Sequence, residues 1–314
     1  MITVRVPAKV NVQLGVGGLR SDGFHDLANV FFAVALGDEV TARQGVGVTL
    51  TCTGPDASLV PLDDTNLAAR AARLLAAHHG IEPNVELHIA KAIPVAGGMA
   101  GGSADGAAAL VACDALWNRA TPLPELLTLA AELGSDVPFA LLGGVALGRG
   151  RGELLEPLPV SGGFHWVFAV ADGGLSTPAV FRECDRLREA AGTGSTEADL
   201  PTPDADPALL AALADGDPVA LAAALANDLQ AAALSLRPAL ADCLAAGLAA
   251  GALGALVSGS GPTCAFLVKD AAAAQAVAEA LTASGTCRTA HATYGPVRGA
   301  HVITSADGES GRAD

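Results

Sequence analysis

The chain has 314 residues, 51% of them hydrophobic and 16% charged, and a formal net charge of −15. That hydropathy excludes a disordered chain, and the acidity excludes a general binder of nucleic acid or of anionic membranes, since either needs a basic surface. A small anionic substrate stays compatible, because one local site can be positive on an acidic protein. The length suits two domains of roughly 150 residues each. No run of about 18 uninterrupted apolar residues signals a membrane span. The opening segment MITVRVPAKV reads as a strand rather than the apolar core of a signal peptide. Cys52, Cys113, Cys184, Cys243, Cys264 and Cys287 contain no CxxC pair, so buried thiols in a reducing cytoplasm are expected rather than disulfides or zinc.

In chain order, Ile2, Val4 and Val6 share one strand face, and after Pro7 the face of Val10, Val12 and Leu14 opposes that of Lys9, Asn11 and Gln13. GGLRSDGFHDL, residues 17–27, reads as a glycine-rich loop and is followed by an apolar strand, NVFFAVAL. A capping residue, an apolar 3.6-residue period and Gly80 predict a helix over 65–79, with His78 and His79 suited to its C-terminus. NVELHIA alternates as a strand, and a glycine stretch and a helix over 103–117 follow it. A short loop, LGSDVPFALLGG, precedes a strand near 145–150. Glycine and proline accumulate in GRGRGELLEPLPVSGG, which places a domain boundary near residue 152. FHWVFAV opens the second half as a buried strand, and residues 191–207 read as a mobile polar insertion. Alanine- and leucine-rich helices come next, then a strand–turn–strand at GALVSGSGPTCAFLV. A helix over 271–284, a strand near 287–293 and a disordered tail over 305–314 complete the chain. Strands and helices mix without strict βαβ alternation, which favours an α+β fold over a doubly wound sheet.

Strand, glycine stretch and helix together make PVAGGMAGGSADGAAAL, residues 94–110, the most informative segment. The first turn of a helix has unpaired N–H donors and a partial positive charge, and glycines let an anion approach without a Cβ in the way. Gly97, Gly98, Gly101 and Gly102 would form such a cradle, with Ser103 as cap or ligand. A tight turn that needs unusual φ angles would use the same glycines, so the pattern alone leaves both readings open. Asp105 in the first turn would compete with a phosphate for the same field, and could face a metal or solvent. The segment is neither a Walker A motif nor GxGxxG, so the phosphate-neutralising lysine must come from elsewhere. Lys9 is the candidate, one of three lysines in the chain. Asp136, in an apolar run just past Gly134, is the candidate proton acceptor, against the plainer role of a helix N-cap.

PAKVNVQLGV, PVAGGMAGGSADGAAAL and VSGSGPTCAFLV resemble, in order, the three motifs of the galactokinase, homoserine kinase, mevalonate kinase and phosphomevalonate kinase superfamily. SDGFHDL and LGSDVPFAL resemble, within it, the 4-diphosphocytidyl-2-C-methyl-D-erythritol kinase family. The resemblance runs over residues 5–268 and is weakest over 185–225. It implies a ribosomal-protein-type first domain, 1–152, a ferredoxin-like second domain, 153–304, and an active site in the cleft between them. It also implies transfer of the γ-phosphoryl of ATP to the 2-hydroxyl of a cytidine-diphosphate-linked tetritol, on the non-mevalonate route to isoprenoid precursors.

By resemblance Asp136 is the general base, and Lys9 polarises the hydroxyl and steadies the developing charge. Pro94, Val95, Ala96, Gly97, Gly98, Met99, Ala100, Gly101, Gly102, Ser103 and Ala104 would wrap the ATP phosphates, with Ser103 a Mg²⁺ ligand and Asn66 near the adenine. Phe24 and Phe181 would sandwich the cytosine, His25 would read its edge, and Asn11 and Thr177 would contact the substrate nearby. The Gly259–Gly261 turn would back the site, and Asp228 would support it structurally. A kinase of another small alcohol, such as homoserine or mevalonate, and a diphosphate decarboxylase share the fold, but neither needs the GFH segment and Phe181. A non-catalytic ATP or metabolite sensor would have no use for Lys9 and Asp136. No nucleic acid or membrane partner is expected, and the chain would act as a monomer or homodimer.

Overall fold

The computed structural model describes residues 1–95 and 97–303. Ala96 of the glycine segment and the tail expected over 305–314 lie outside the described residues. The chain begins with a long hairpin, β1 (Ile2–Leu19) and β2 (His25–Arg43), followed by β3 (Val48–Thr53), α1 (Leu67–His78) and β4 (Val85–Ala90). Then come α2 (Gly101–Leu116), α3 (Leu123–Leu133), α4 (Val137–Leu142), β5 (Val145–Arg149) and β6 (Leu154–Pro157). The second half runs β7 (Phe164–Val170), α5 (Thr177–Ala190), α6 (Pro207–Asp215), α7 (Pro218–Ala224) and β8 (Ala226–Asn227). It continues with α8 (Gln230–Leu236), α9 (Ala239–Ala249), β9 (Gly254–Val257), β10 (Cys264–Val268), α10 (Ala271–Ser284), β11 (Thr289–Gly295) and β12 (His301–Val302).

Two sheets result. The first orders its strands β12-β1-β2-β4-β3, with β5 also on β2, β6 on β5 and β8 on β1. The second orders β11-β7-β10-β9, all antiparallel. With helices α5–α9 between β7 and β9, and α10 between β10 and β11, this is a split βαβ, the ferredoxin-like arrangement. The fold is thus α+β in two domains. Residue 152, where glycine and proline place the boundary, lies in the turn of the β5–β6 hairpin. The first sheet therefore also takes β6, β8 and β12 from beyond it.

Core packing explains the strands that look apolar throughout. In β7, Phe164, Trp166 and Phe168 join the core of the first sheet, while Val167 and Ala169 join a second core under α5, α8, α9 and α10. A sheet buried on both faces needs no polar alternation. Helix α2 is the central helix, with Ala104, Ala107, Ala108, Leu110, Ala112 and Cys113 all buried, and its small side chains let it lie close to the sheet.

Three expectations are corrected. The segment 17–27 is mostly strand: β1 runs to Leu19, β2 starts at His25, and only 20–24 form the turn. Cross-strand pairing through Val16 and Leu27 and then Leu19 and His25 satisfies backbone that a loop would leave to water. Residues 134–144 hold a short helix, α4, rather than a plain loop. The insertion expected to be mobile over 191–207 is held against β1. There Leu19 N donates to Ser195 O at 2.7 Å, Gln13 Nε2 to Asp204 O at 2.9 Å, and Asp206 N to Gln13 Oε1 at 2.8 Å.

Candidate active site

A cavity of about 850 Å³ opens between the two sheets, walled by β1, β2, the start of α2, the start of α4, α5 and the β9–β10 turn. It gathers Lys9, Asn11, Phe24, His25, Gly97, Gly98, Ala100, Gly101, Gly102, Ser103, Asp136, Thr177 and Phe181, which are scattered through 173 positions of sequence between the first and the last.

Lys9 projects from β1 opposite buried Val10. Its Nζ donates to Asn11 Oδ1 at 2.7 Å and to the Gly98 carbonyl at 3.2 Å, and lies 3.7 Å from Asp136 Oδ2. Burial presses the Lys9 pKa below the ordinary lysine value, and the nearby Asp136 carboxylate opposes that shift. Asp136 occupies the N-cap position of α4, yet its side chain caps no helix N–H. Its carboxylate faces Lys9 instead, across a gap too long for a hydrogen bond, so one oxygen atom could sit within about 2.8 Å of both groups.

The glycine segment bends tightly over this pair. Gly98 has φ +72°, and a Cβ there would lie 2.5 Å from Ser258 O, so only glycine fits. The Gly259–Gly261 turn backs it: Gly259 has φ +57°, and a Cβ there would come within 3.0 Å of Asn11 Oδ1. Gly102 differs. It is helical and exposed, and beyond its own helix no atom of the described residues lies within 4 Å of where its Cβ would be. Glycine is a poor helix residue, and nothing among the described residues requires it here. Its missing side chain leaves room on the cavity side of the first turn of α2.

Asp105 faces neither metal nor solvent. It is buried and takes a hydrogen bond from Lys91 Nζ at 2.7 Å, while Lys91 also donates to Asp38 at 2.5 Å. Asp38 further accepts the N–H groups of Ala92 and Ile93, whereas the second oxygen of Asp105 has no partner. Burial pushes the Asp105 pKa up to about 7, against the pull of Lys91. The ammonium lies 2.9 Å from where a Gly101 Cβ would be, so this buried triad fixes the first turn of α2 from below.

On the far wall, the His25 ring stacks on Phe181 with centroids 5.1 Å apart and 30° between planes. Its Nε2 lies 3.0 and 3.2 Å from the two oxygens of Asp185. Phe24 is half exposed beside the cavity mouth, with the Arg151 guanidinium 5.1 Å from its ring centroid. Thr177 Oγ1 bonds Ser260 Oγ at 2.8 Å, tying α5 to the β9–β10 turn. Asp228 takes the N–H of Val16 at 2.8 Å and braces β1.

Pro94, Val95, Met99 and Ala104 do not line the cavity; Met99 and Ala104 point into the core. Asn66 is not brought to it either. Its Oδ1 caps α1 at Ala68 N, 2.8 Å, and its Nδ2 donates to Pro61 O at 2.7 Å, so both ends of the amide serve the protein itself. Sequence reasoning missed Asn29, Asp185 and Arg151, all on the cavity wall. Asn29 had a visible signal, a polar residue ahead of an unbroken apolar run. Asp185 had only its position one turn after Phe181.

Among the described residues no group of three or more His, Cys, Asp or Glu could hold a metal ion. The hydroxyl of Ser103, in the first turn of α2, suits Mg²⁺ carried in by phosphate oxygens and water, since that ion keeps most of its shell from those sources.

Residues 66–144 match the family model described as GHMP kinases N terminal domain, and residues 209–287 the one described as GHMP kinases C terminal. The chain is 67% identical over 302 residues to a 4-diphosphocytidyl-2-C-methyl-D-erythritol kinase of Streptomyces avermitilis, covering 96% of this chain and 99% of that one. It is 61% identical over 310 residues to the Thermobifida fusca protein of the same name, covering 96% and 98%. A crystal structure of 4-(cytidine 5'-diphospho)-2C-methyl-D-erythritol kinase superposes with TM-score 0.73 at 34% identity, over 93% of this chain and 99% of that one. A mevalonate kinase of L. major superposes at TM-score 0.70 but 15% identity, over 92% and 94%, and shares the fold alone. Identity this high over nearly the whole length means that the chain belongs to the 4-diphosphocytidyl-2-C-methyl-D-erythritol kinase family of the GHMP kinases.

Proposed function

We propose that this chain transfers the γ-phosphoryl group of ATP to the 2-hydroxyl of 4-diphosphocytidyl-2-C-methyl-D-erythritol, in the non-mevalonate route to isoprenoid precursors. The observation that carries this reading is the Lys9–Asp136 pair, 3.7 Å apart in a cavity with a glycine-lined helix N-terminus on one side and the His25–Phe181 stack on the other. The acceptor hydroxyl would enter between the two groups. Asp136 takes its proton, and Lys9 draws charge from the oxygen and then from the transferring phosphoryl group. Phosphoryl transfer asks mainly for alignment and charge neutralisation, and the buried Lys9 supplies a fixed cation for both.

The phosphates of ATP lie against the backbone of the 94–104 segment, where the first turn of α2 offers N–H donors and Gly102 leaves space. Ser103 would hold Mg²⁺ carried in with the nucleotide, and that ion would supply further charge neutralisation. The cytosine lies against Phe181 and Phe24 with its edge toward His25, and Asn11 and Thr177 meet the sugar and tetritol end. The six free thiols, four of them buried, support action in a reducing cytoplasm.

ATP turnover with Mg²⁺ on a panel of the cytidine-diphosphate tetritol, homoserine, mevalonate and galactose tests this. Phosphorylation of the first alone is expected. Turnover of another panel member would keep the kinase and overturn the base-binding wall.

A further inference from the structure

We infer that Asp185 is a positioning residue for base selection: it fixes His25 in the tautomer that accepts the exocyclic amine of cytosine and turns away the carbonyl of uracil. This deepens the proposed function and rests on its placement of the base against His25 and Phe181. Both oxygens of Asp185 approach one ring nitrogen, His25 Nε2, at 3.0 and 3.2 Å. An ionised carboxylate only accepts hydrogen bonds, so that nitrogen carries the proton. The side chains are 6% and 16% exposed, so little water competes for the contact.

The other nitrogen, Nδ1, has no hydrogen-bond partner among the described residues. Nor is it one of their sealed, unpaired atoms, which are Arg73 Nη1, Asp105 Oδ1, Trp166 Nε1 and Thr263 Oγ1. It is therefore open to the cavity that His25 lines. With the proton held on Nε2, a neutral imidazole presents a bare lone pair there. Cytosine meets that lone pair with its N4 amine, a donor. Uracil meets it with O4, an acceptor, and leaves two polar atoms unpaired in a half-closed site.

The same face of α5 fixes the plane of the ring. Phe181 lies one helical turn before Asp185 and stacks on the imidazole at 5.1 Å, and Thr177, another turn back, is tied to Ser260. A base in the plane of His25 would continue over Phe181. Asp185 caps no helix and reaches a residue 160 positions away, so its contact serves the ring rather than α5.

The test compares the unchanged chain with Asp185→Leu and Asp185→Asn. Each is assayed with the cytidine- and the uridine-diphosphate tetritol, and ¹⁵N NMR of the free proteins reports the protonation of each His25 nitrogen. In the unchanged chain a protonated Nε2, a bare Nδ1 and a strong cytidine preference are expected. Asp185→Leu should raise KM for the cytidine substrate about tenfold or more, with KM for ATP held, and should reduce the cytidine-over-uridine ratio by a similar factor. It should also give a mixture of His25 tautomers. Asp185→Asn should recover most of the ratio, because its carbonyl still accepts the Nε2–H. An unchanged ratio in Asp185→Leu, or a protonated Nδ1 in the unchanged chain, overturns the inference. If the unchanged chain phosphorylates neither tetritol, the functional reading falls, and the NMR result alone then decides whether Asp185 governs the ring.

Discussion

Asn11 sits between a lysine and a second asparagine, and that decides which way both amides face. Lys9 can only donate, so the oxygen of Asn11 must turn to it, at 2.7 Å; the Asn11 amine then donates to Asn29 Oδ1 at 2.6 Å. The last free group in the relay, the Asn29 amine, is left for the cavity that Asn29 lines. Changing Asn29 to Leu strands the Asn11 amine at a cost of roughly 1–3 kcal/mol and removes that donor. A fall in kcat/KM for the tetritol of at least fivefold is expected, with KM for ATP unchanged, in steady-state assays. Asp136→Asn removes the proposed proton acceptor while keeping the shape. Turnover should fall by about 10²–10⁴, with both substrates still binding in calorimetry. A variant that keeps a tenth of the activity would show that Asp136 is not the base. Burial already holds the Lys9 pKa below its ordinary value with Asp136 opposing, so the alkaline limb of kcat/KM should fall below the usual lysine range.

The glycines of the 94–104 segment are not equivalent, and the difference separates what packing demands from what a ligand demands. Gly98 is forced by Ser258 O and Gly101 sits tight against the Lys91 ammonium and Ile93, whereas beyond its own helix Gly102 meets nothing among the described residues. Gly102→Ala should therefore stabilise α2 by about 0.5–1 kcal/mol, read as a higher Tm, and yet raise KM for ATP. A second element-level prediction concerns the triad beneath. A carboxyl with a raised folded-state pKa binds its proton more tightly folded than unfolded. Asp105 thus favours the folded state increasingly as pH falls from about 7 toward its ordinary value near 3.8, and its full penalty stands above 7. Asp105→Asn should remove that slope, so that Tm of the variant minus Tm of the unchanged chain rises from pH 5 to pH 8. These cases mark what was legible in the sequence. Strand alternation and caps gave most elements, and α10 fell on its expected residues, because those signals are local. The glycine motif and Lys9 could be paired because the segment lacks a lysine of its own and the chain has only three, and the resemblance then supplied their roles. Lys91 with Asp38 and Asp105, and His25 with Asp185, depend on tertiary register, and no spacing in the chain encodes it. The insertion over 191–207 was misread for the same reason: its polar composition is real, but its backbone bonds β1.

Two links carry the glycine segment across the boundary between the sheets. Ser258 Oγ, from the β9–β10 turn, donates to Gly98 O at 3.3 Å. The other is an ion pair. Asp56, after β3, accepts both terminal nitrogens of Arg288, just before β11, at 2.9 and 3.0 Å, and also the N–H of Val95 at 3.2 Å. Asp56 is buried, whereas the Arg288 side chain is 39% exposed, so the pair is bidentate but partly screened. Arg288 holds the Asp56 pKa below the usual carboxylate value. Such a group stabilises the fold above its unfolded pKa, near 3.9, and loses that contribution as pH falls through the lower folded value. Arg288→Ala should thus lower stability by about 1 kcal/mol at pH 7, with a loss that shrinks as the medium is acidified toward pH 3. It should also loosen the Val95 end of the segment proposed to hold the phosphates and raise KM for ATP severalfold, leaving KM for the tetritol in place, because the wall proposed for the base lies on α5 and β2. The pairing with Asp56→Asn makes the claim strict. If the two residues act as one tie, the double variant should bind ATP no more weakly than the weaker single variant. Fully additive losses in ATP affinity would mean that Arg288 acts on the nucleotide by another route.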